Sequence, residues 1–98
     1  MPTETLASDS NLRIRFAPPF RSKFRYVVEA EKPVTTFVVD GEGLRAFESG
    51  EPTVRSYGGF SRRRLHQESI RPPRSDEFFF LIVNDNEEPV AVHYELYV

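Results

Sequence analysis

Cysteine and tryptophan are absent from this chain, and histidine occurs only twice, as His66 and His93. Without cysteine the chain has no disulfide framework, no thiolate zinc site and no cysteine nucleophile. Single histidines within strand-like segments are more often packing groups than metal ligands. The sequence therefore predicts no metal site and no cofactor, and its lack of cysteine fits a reducing cytoplasm.

Long hydrophobic runs and an export signal are missing as well. The longest apolar run, residues 78–83, falls far short of the ~20 residues that cross a bilayer as a helix. Residues 1–10 lack the basic-then-apolar pattern of a signal peptide. We expect a cytoplasmic protein that makes no membrane contact.

Signatures of catalysis are also lacking. No nucleophile-elbow pattern organises the serines, histidines and carboxylates into a catalytic set. Residues 41–46 formally match the G-x-G-x-x-A turn of dinucleotide-binding folds, but the chain has no room for a crossover to a parallel strand. The acidic residues 85–88 lack the spacing and the glycine of a calcium-binding loop. We therefore expect no enzymatic activity and no catalytic residue.

The residues that are present favour β-strands. Phenylalanine and β-branched residues gather in short runs separated by proline, glycine, asparagine and aspartate, as in all-β proteins. Turn signals every 8 to 12 residues or so predict a single-domain antiparallel β-sandwich of about seven short strands, with a small β-barrel as the alternative. We expect this domain to span residues 11–98, after a disordered tail at residues 1–10.

Alternation of apolar and polar residues locates the strands of the first two thirds of the chain. It predicts strands over residues 12–16, 24–30, 34–39 and 53–57. Lys32 and Pro33 are expected to turn the chain between the second and third of these. Leu44 and Phe47 lie three apart, which favours one or two helical turns. Residues 60–70 have no clearly apolar face and are interpreted as an edge strand or an extended loop.

The C-terminal segment predicts a hairpin. Residues 78–83 are apolar throughout, which is typical of a strand covered on both faces, whereas residues 90–98 alternate. The residues between them are turn-formers. A four-residue turn sets the odd-numbered residues of the first strand opposite the apolar residues Val90, Val92 and Tyr94 of the second strand. A five-residue turn sets the even-numbered residues opposite them instead. In either register one apolar face remains, to be covered by the segment around Leu44 and Phe47, a neighbouring loop or another chain.

Arginine is concentrated in one part of the chain. Residues 55–74 contain six arginines against one glutamate, interleaved with Tyr57, Phe60 and His66. Guanidinium groups beside aromatic rings can bind phosphates while the rings stack on bases. The chain as a whole is acidic, however, which is unusual for a nucleic-acid-binding domain. The same arginines could instead form a solvated sheet edge or pair with an acidic patch.

From Val34 onward the order of features resembles a known family. These features are the apolar strand ending in Asp40, the segment Phe47 to Gly50, the Tyr57-Gly58-Gly59 turn, the proline at Pro72 or Pro73 and the aromatic strand at Phe78. They resemble a family of small bacterial proteins of unknown function whose members also occur fused to TIR domains. The final hairpin is similar to the closing strands of Golgi-dynamics-type β-sandwiches. Both resemblances imply a β-sandwich used for association, and neither implies a catalytic residue.

The sequence thus favours a non-enzymatic protein-interaction or self-association module, whose partner is another protein or a second copy of the chain. The predicted apolar interaction face comprises Phe78, Phe80 and Ile82. The predicted basic edge comprises Arg55, Arg62, Arg63, Arg64, Arg71 and Arg74. The alternative is an anion- or nucleic-acid-binding domain that uses the segment Arg55–Arg74.

Overall fold

A computed structural model describes residues 3–18, 23–72 and 77–97. The strands are β1 (Thr3–Leu6), β2 (Ser10–Phe16), β3 (Phe24–Asp40), β4 (Arg63–Ile70), β5 (Phe78–Asn84) and β6 (Val90–Tyr97), and the helix is α1 (Gly41–Glu48). Every strand pairing is antiparallel. The predicted all-β antiparallel class is confirmed, as a curled sheet of six strands with one short helix.

Strand β3 connects the two halves of the sheet. Its first part, from Arg25 to Ala30, pairs with β6 on one edge, and β4 lies on the opposite edge. Its last part, from Thr35 to Asp40, pairs with β5. The predicted turn at Lys32 and Pro33 is therefore wrong. Pro33 lies between the two paired segments of β3, where the strand bends and its register with β4 shifts. The N–H that proline lacks is therefore not needed for a hydrogen bond to a neighbouring strand.

Strands β5 and β6 do not form the predicted hairpin. Both run antiparallel to β3, with Val83 opposite Thr35 and Val92 opposite Ala30, so they lie end to end along one edge of it. Neither register considered for a hairpin applies. The polar connection is a corner between the sheet halves, although its composition is that of a turn.

The buried side chain of Asn84 organises this corner. Its Nδ2 donates to the carbonyl oxygens of Leu6, Ala7 and Glu88, at 3.0, 3.1 and 3.0 Å. Its Oδ1 accepts from the backbone N–H of Asn86 at 2.9 Å. One buried amide thus joins backbone groups of two chain segments, residues 6–7 and 86–88.

The predicted disordered tail is wrong for the described residues before residue 11. Residues 3–6 form β1, which pairs with β6, while β2 continues along β5. Leu6 is only 5% exposed and belongs to the core, and Thr3 Oγ1 lies 2.7 Å from His93 Nδ1. A strand whose partner lies some 90 residues away in sequence leaves no local signal beyond a single apolar residue.

The sheet curls so that its two halves pack on each other. The ring of Tyr26, in the first part of β3, lies 4.5 Å from the ring of Phe80 on β5. Phe16 stacks on Phe24 with ring centroids 4.0 Å apart. The core consists of Leu6, Phe16, Phe24, Tyr26, Val28, Val34, Val38, Phe78, Phe80, Ile82, Val90 and Val92. The strand predicted over residues 53–57 is absent, and only Gly58 bridges to Val38.

Helix α1 covers the outer face of the half that contains β5. Leu44 packs against Val39 and Leu81, and the rings of Phe47 and Phe37 lie 5.9 Å apart. Of the three covers considered for β5, the helical segment is the one observed on its odd-numbered face. The glycines of this segment begin a capped helix in an antiparallel sheet, so they do not form a dinucleotide-binding turn. No helix in the described ranges is long and apolar enough to cross a membrane.

Candidate interaction face

The residues predicted to form an apolar interaction face lie in the core. Phe78, Phe80 and Ile82 are fully buried. Phe79 and Val83, which lie on the other face of β5, pack on the apolar cluster beneath helix α1. Both faces of β5 are therefore covered by the chain itself. The prediction that Phe78, Phe80 and Ile82 contact a partner is wrong, because all three lie in the core.

Two arginines of the predicted basic edge already have partners in the chain. The guanidinium of Arg62 lies 2.7 Å from the carboxylate of Asp85. The guanidinium carbon of Arg63 lies 4.2 Å from the centroid of the Phe60 ring, within cation–π distance. Strand β4 pairs only with β3 among the described strands, so of the two interpretations of residues 60–70 the edge strand holds for residues 63–70.

The remaining arginines do not converge on one patch. Arg64 and Arg71 are exposed near opposite ends of β4, roughly 20 Å apart at the rise of an extended strand. The guanidinium carbon of Arg55 lies 5.8 Å from the Tyr57 ring, outside β4. Arg74 lies outside the described residues.

His66 is fully buried and hydrogen-bonded at both ring nitrogens. Its Nε2 lies 2.9 Å from the carbonyl oxygen of Val34 and 2.8 Å from that of Arg63, so this nitrogen carries the proton and donates. Its Nδ1 then accepts from the hydroxyl of Thr36 at 3.0 Å. Burial lowers the pKa of His66 below its usual value. The neutral ring ties β4 to β3, and neither nitrogen faces a substrate.

The Gly58-Gly59 segment is held in place by the half-buried carboxylate of Glu68. The hydroxyl of Tyr26 donates to Glu68 Oε1 at 2.8 Å, and the N–H of Gly59 donates to the same oxygen at 3.0 Å. Burial, followed by the bond to Glu68, raises the pKa of Tyr26. Gly59 has a φ of 120°, and a Cβ there would lie 2.1 Å from the carbonyl oxygen of Thr36. The double glycine thus serves close backbone packing.

A groove of mixed charge lies beside helix α1. It has a volume of about 360 Å³ and is lined by residues that include Arg45, Glu51 and Arg55. The buried carboxylate of Asp40 at its base accepts from the N–H of Gly43 at 2.8 Å and from the hydroxyl of Tyr57 at 3.1 Å. That carboxylate caps the helix, and the described ranges contain no cluster of metal-ligating residues.

The outer face of the half formed by β1, β6, β3 and β4 has no covering element among the described residues. Its side chains are exposed or half-buried. We call this surface the open face. Its centre consists of three rows, read from β4 through β3 to β6: Ser69, Arg25 and Tyr97; Gln67, Val27 and Glu95; Leu65, Glu29 and His93.

Apolar side chains form a diagonal across the open face. Among the described residues, Leu65 and Tyr97 are the exposed large hydrophobic ones, at 56% and 46% exposure. Val27 is half-buried and occupies the position between them in the row arrangement. Sequence reasoning missed this diagonal because it joins three strands, each of which contributes a single apolar residue to an otherwise polar face.

Charged groups flank the diagonal. The guanidinium carbon of Arg25 lies 4.9 Å from the centroid of the Tyr97 ring. The Tyr97 hydroxyl donates to Glu95, and this bond raises the pKa of Tyr97. Glu29 lies at the opposite side of Val27 along β3. The open face therefore combines an aromatic ring, an arginine and exposed aliphatic groups, which are common constituents of protein interfaces.

No protein-family model matches the chain, and no curated protein sequence matches it.

Proposed function

We propose that this chain is a non-enzymatic protein-interaction module that binds through the open face. The observation that supports the proposal is the placement of Leu65 and Tyr97, two exposed large hydrophobic residues, on the same side of the sheet. Exposed apolar groups rimmed by polar ones are typical of protein-binding surfaces. The polar rim here includes Arg25, Glu29 and Gln67.

The contrast between the two halves of the sheet also supports this function. Helix α1 covers the outer face of the half that contains β5, whereas nothing in the described ranges covers the open face. A sheet stable with one bare face needs mostly polar side chains there, and Val27, Leu65 and Tyr97 depart from that pattern. We propose in addition that the protein is cytoplasmic and that it is related to the small bacterial association domains that its sequence resembles.

The alternative is anion or nucleic-acid binding by the arginine segment. It has weaker support because Arg62 and Arg63 already have partners and because Arg64 and Arg71 lie at opposite ends of β4. Phosphate binding would weaken steeply as salt rises, whereas binding through the apolar diagonal and its few charged neighbours would depend on salt much less. Titration with a single-stranded oligonucleotide at two salt concentrations separates these alternatives.

The proposed function can be tested with a photo-crosslinking amino acid at Gln67, which is exposed in the centre of the open face. A second chain carries the same group at Thr53, which is exposed in the loop after helix α1. We expect protein adducts from position 67 that are lost with Leu65→Lys and retained with Glu48→Lys, a matched change on the helix. Equal adduct yields from positions 67 and 53, unaffected by Leu65→Lys, would contradict the proposal.

A further inference from the structure

We propose that the partner of the open face is a second copy of this chain, packed face to face about a twofold axis along the Leu65–Val27–Tyr97 diagonal. This inference rests on the proposed function and adds to it the identity of the partner. It follows from the registers of β3 with β4 and β6, which fix the relative positions of the charged groups.

A twofold interface brings the same surface patch of each copy together, so the patch must complement itself. Rotation about the diagonal places Leu65, Val27 and Tyr97 each against the same residue of the second copy. The residues on either side of the diagonal exchange positions. Arg25 then faces Glu95 of the second copy, and Gln67 faces Glu29.

Other twofold axes through Val27 oppose like charges. An axis along β3 would place Arg25 on Arg25 and Glu29 on Glu29 of the second copy. An axis across the strands would pair Arg25 with Glu29, but it would place Glu95 on its own counterpart. It would also set the apolar Leu65 and Tyr97 against the polar Ser69 and His93. The other diagonal would place Glu29 against Glu95. Since directly opposed like charges are unfavourable at an interface, charge complementarity selects the diagonal through Leu65 and Tyr97.

The resulting geometry matches a known mode of sheet packing. Strands are ~4.8 Å apart and alternate residues ~6.7 Å apart, so the diagonal lies about 35° from the strand direction. A rotation of 180° about it makes the strands of the two copies cross at about 70°, which is close to the orthogonal class of sheet packing. Sheets packed in this way lie ~10 Å apart, a gap that the side chains of both faces fill.

The size of the open face indicates a weak dimer. Four strands of up to eight residues give a projected area of roughly 400–500 Å². Stable complexes usually bury ~800 Å² on each partner. We therefore expect association that appears as the protein concentration rises from micromolar to millimolar, with rapid exchange between monomer and dimer.

The decisive experiment mixes two charge-reversal variants. In a dimer of Arg25→Glu, the new glutamate faces Glu95, and in a dimer of Glu95→Arg the new arginine faces Arg25. Each variant alone is expected to dimerise at least about tenfold more weakly than the wild type. In the mixed dimer both contacts again join opposite charges, so mixing restores association. Changes within one chain cannot produce this recovery.

Energy transfer between two dyes measures the association. The chain has no cysteine, so Thr53→Cys provides a single labelling site outside the open face. Thermal melts verify that each variant is folded. The expected result is energy transfer for wild type and for the mixture but little for either variant alone. Equal transfer for all four samples, or none for wild type at millimolar concentration, would overturn the self-association.

Failure of this inference is distinguishable from failure of the proposed function. Wild type without energy transfer, together with Leu65-dependent adducts from position 67 to a different protein, assigns the open face to another partner. In that case the second copy is rejected and the interaction module stands. Absence of both signals rejects both.

Discussion

Tyr26 and Phe80 pack with their ring centroids 4.5 Å apart, although the strand that contains Phe80 pairs with the far end of the strand that contains Tyr26. The contact exists because β3 bends between Ala30 and Thr35 and folds one half of the sheet over the other. Phe80 therefore lies in the centre of the core, and the exposed residues of the open face lie on the opposite side of β3.

Replacement of Phe80 should therefore affect stability rather than association. We expect Phe80→Ala to lower the free energy of unfolding by about 3–5 kcal/mol, since the ring is fully buried. Phe79→Ala, at a half-buried position beneath helix α1, should cost less. Urea unfolding followed by circular dichroism measures both. A stable Phe80→Ala protein with altered association only would contradict this placement.

The corner between β5 and β6 depends on the Asn84 amide. Asn84→Ala removes a fully buried amide that donates to the carbonyl oxygens of Leu6, Ala7 and Glu88, so we expect a loss of about 2 kcal/mol. Asn11→Ala provides a matched control at an exposed position of β2 and should change stability by at most about 0.5 kcal/mol. Equal effects of the two substitutions in urea would argue against the corner.

Two glycines with positive φ should respond differently to alanine. Gly50 has a φ of 70° with open space around it, so Gly50→Ala should cost about 1 kcal/mol from backbone conformation alone. Gly59→Ala adds a Cβ 2.1 Å from the carbonyl oxygen of Thr36, so its cost should be well above that value. Thermal unfolding of both variants checks the order, which would be reversed or absent if Gly58-Gly59 were an open turn.

His66 should make stability fall in mild acid. Its folded-state pKa lies below the unfolded value of about 6.5, so the unfolded state binds the proton first as the pH falls. Stability is therefore fully present above pH ~6.5 and decreases below it, by at most about 1.4 kcal/mol per pH unit. His66→Gln should remove this component of the slope between about pH 6.5 and 5.

His93→Asn serves as the control for this pH dependence, because His93 is exposed on the open face. It should leave the component from His66 in place. Urea titrations at a series of pH values measure the slope for each variant. An unchanged slope with His66→Gln would show that the buried ring does not control it.

Local pattern predicted much of the fold. Alternation located β2 and the exposed and buried sides of β6, and the spacing of Leu44 and Phe47 located helix α1. The uninterrupted apolar run of β5 correctly indicated a strand covered on both faces, although it left open which element covers the second face. These features succeed because each depends on residues close together in sequence.

The errors concern relations between distant segments. The composition of a tight turn and that of a corner are alike, so the sequence could not show that Asn84 reaches back to Leu6. Pro33 suggested a turn because proline usually interrupts a strand. It is tolerated within β3 because it lies between the segments that pair with other strands, which the local sequence does not show. The open face was missed for the same reason, since Leu65, Val27 and Tyr97 come together only through strand register.

The most direct measurement of the central claim is a concentration series of two-dimensional amide NMR spectra of the unmodified chain, from micromolar to millimolar. If the open face self-associates, shifts should grow with concentration at Arg25, Val27, Leu65 and Tyr97, and signals on helix α1 should stay constant. Shifts confined to the exposed edge at Arg62–Arg64, or to helix α1 with an unchanged open face, would contradict it.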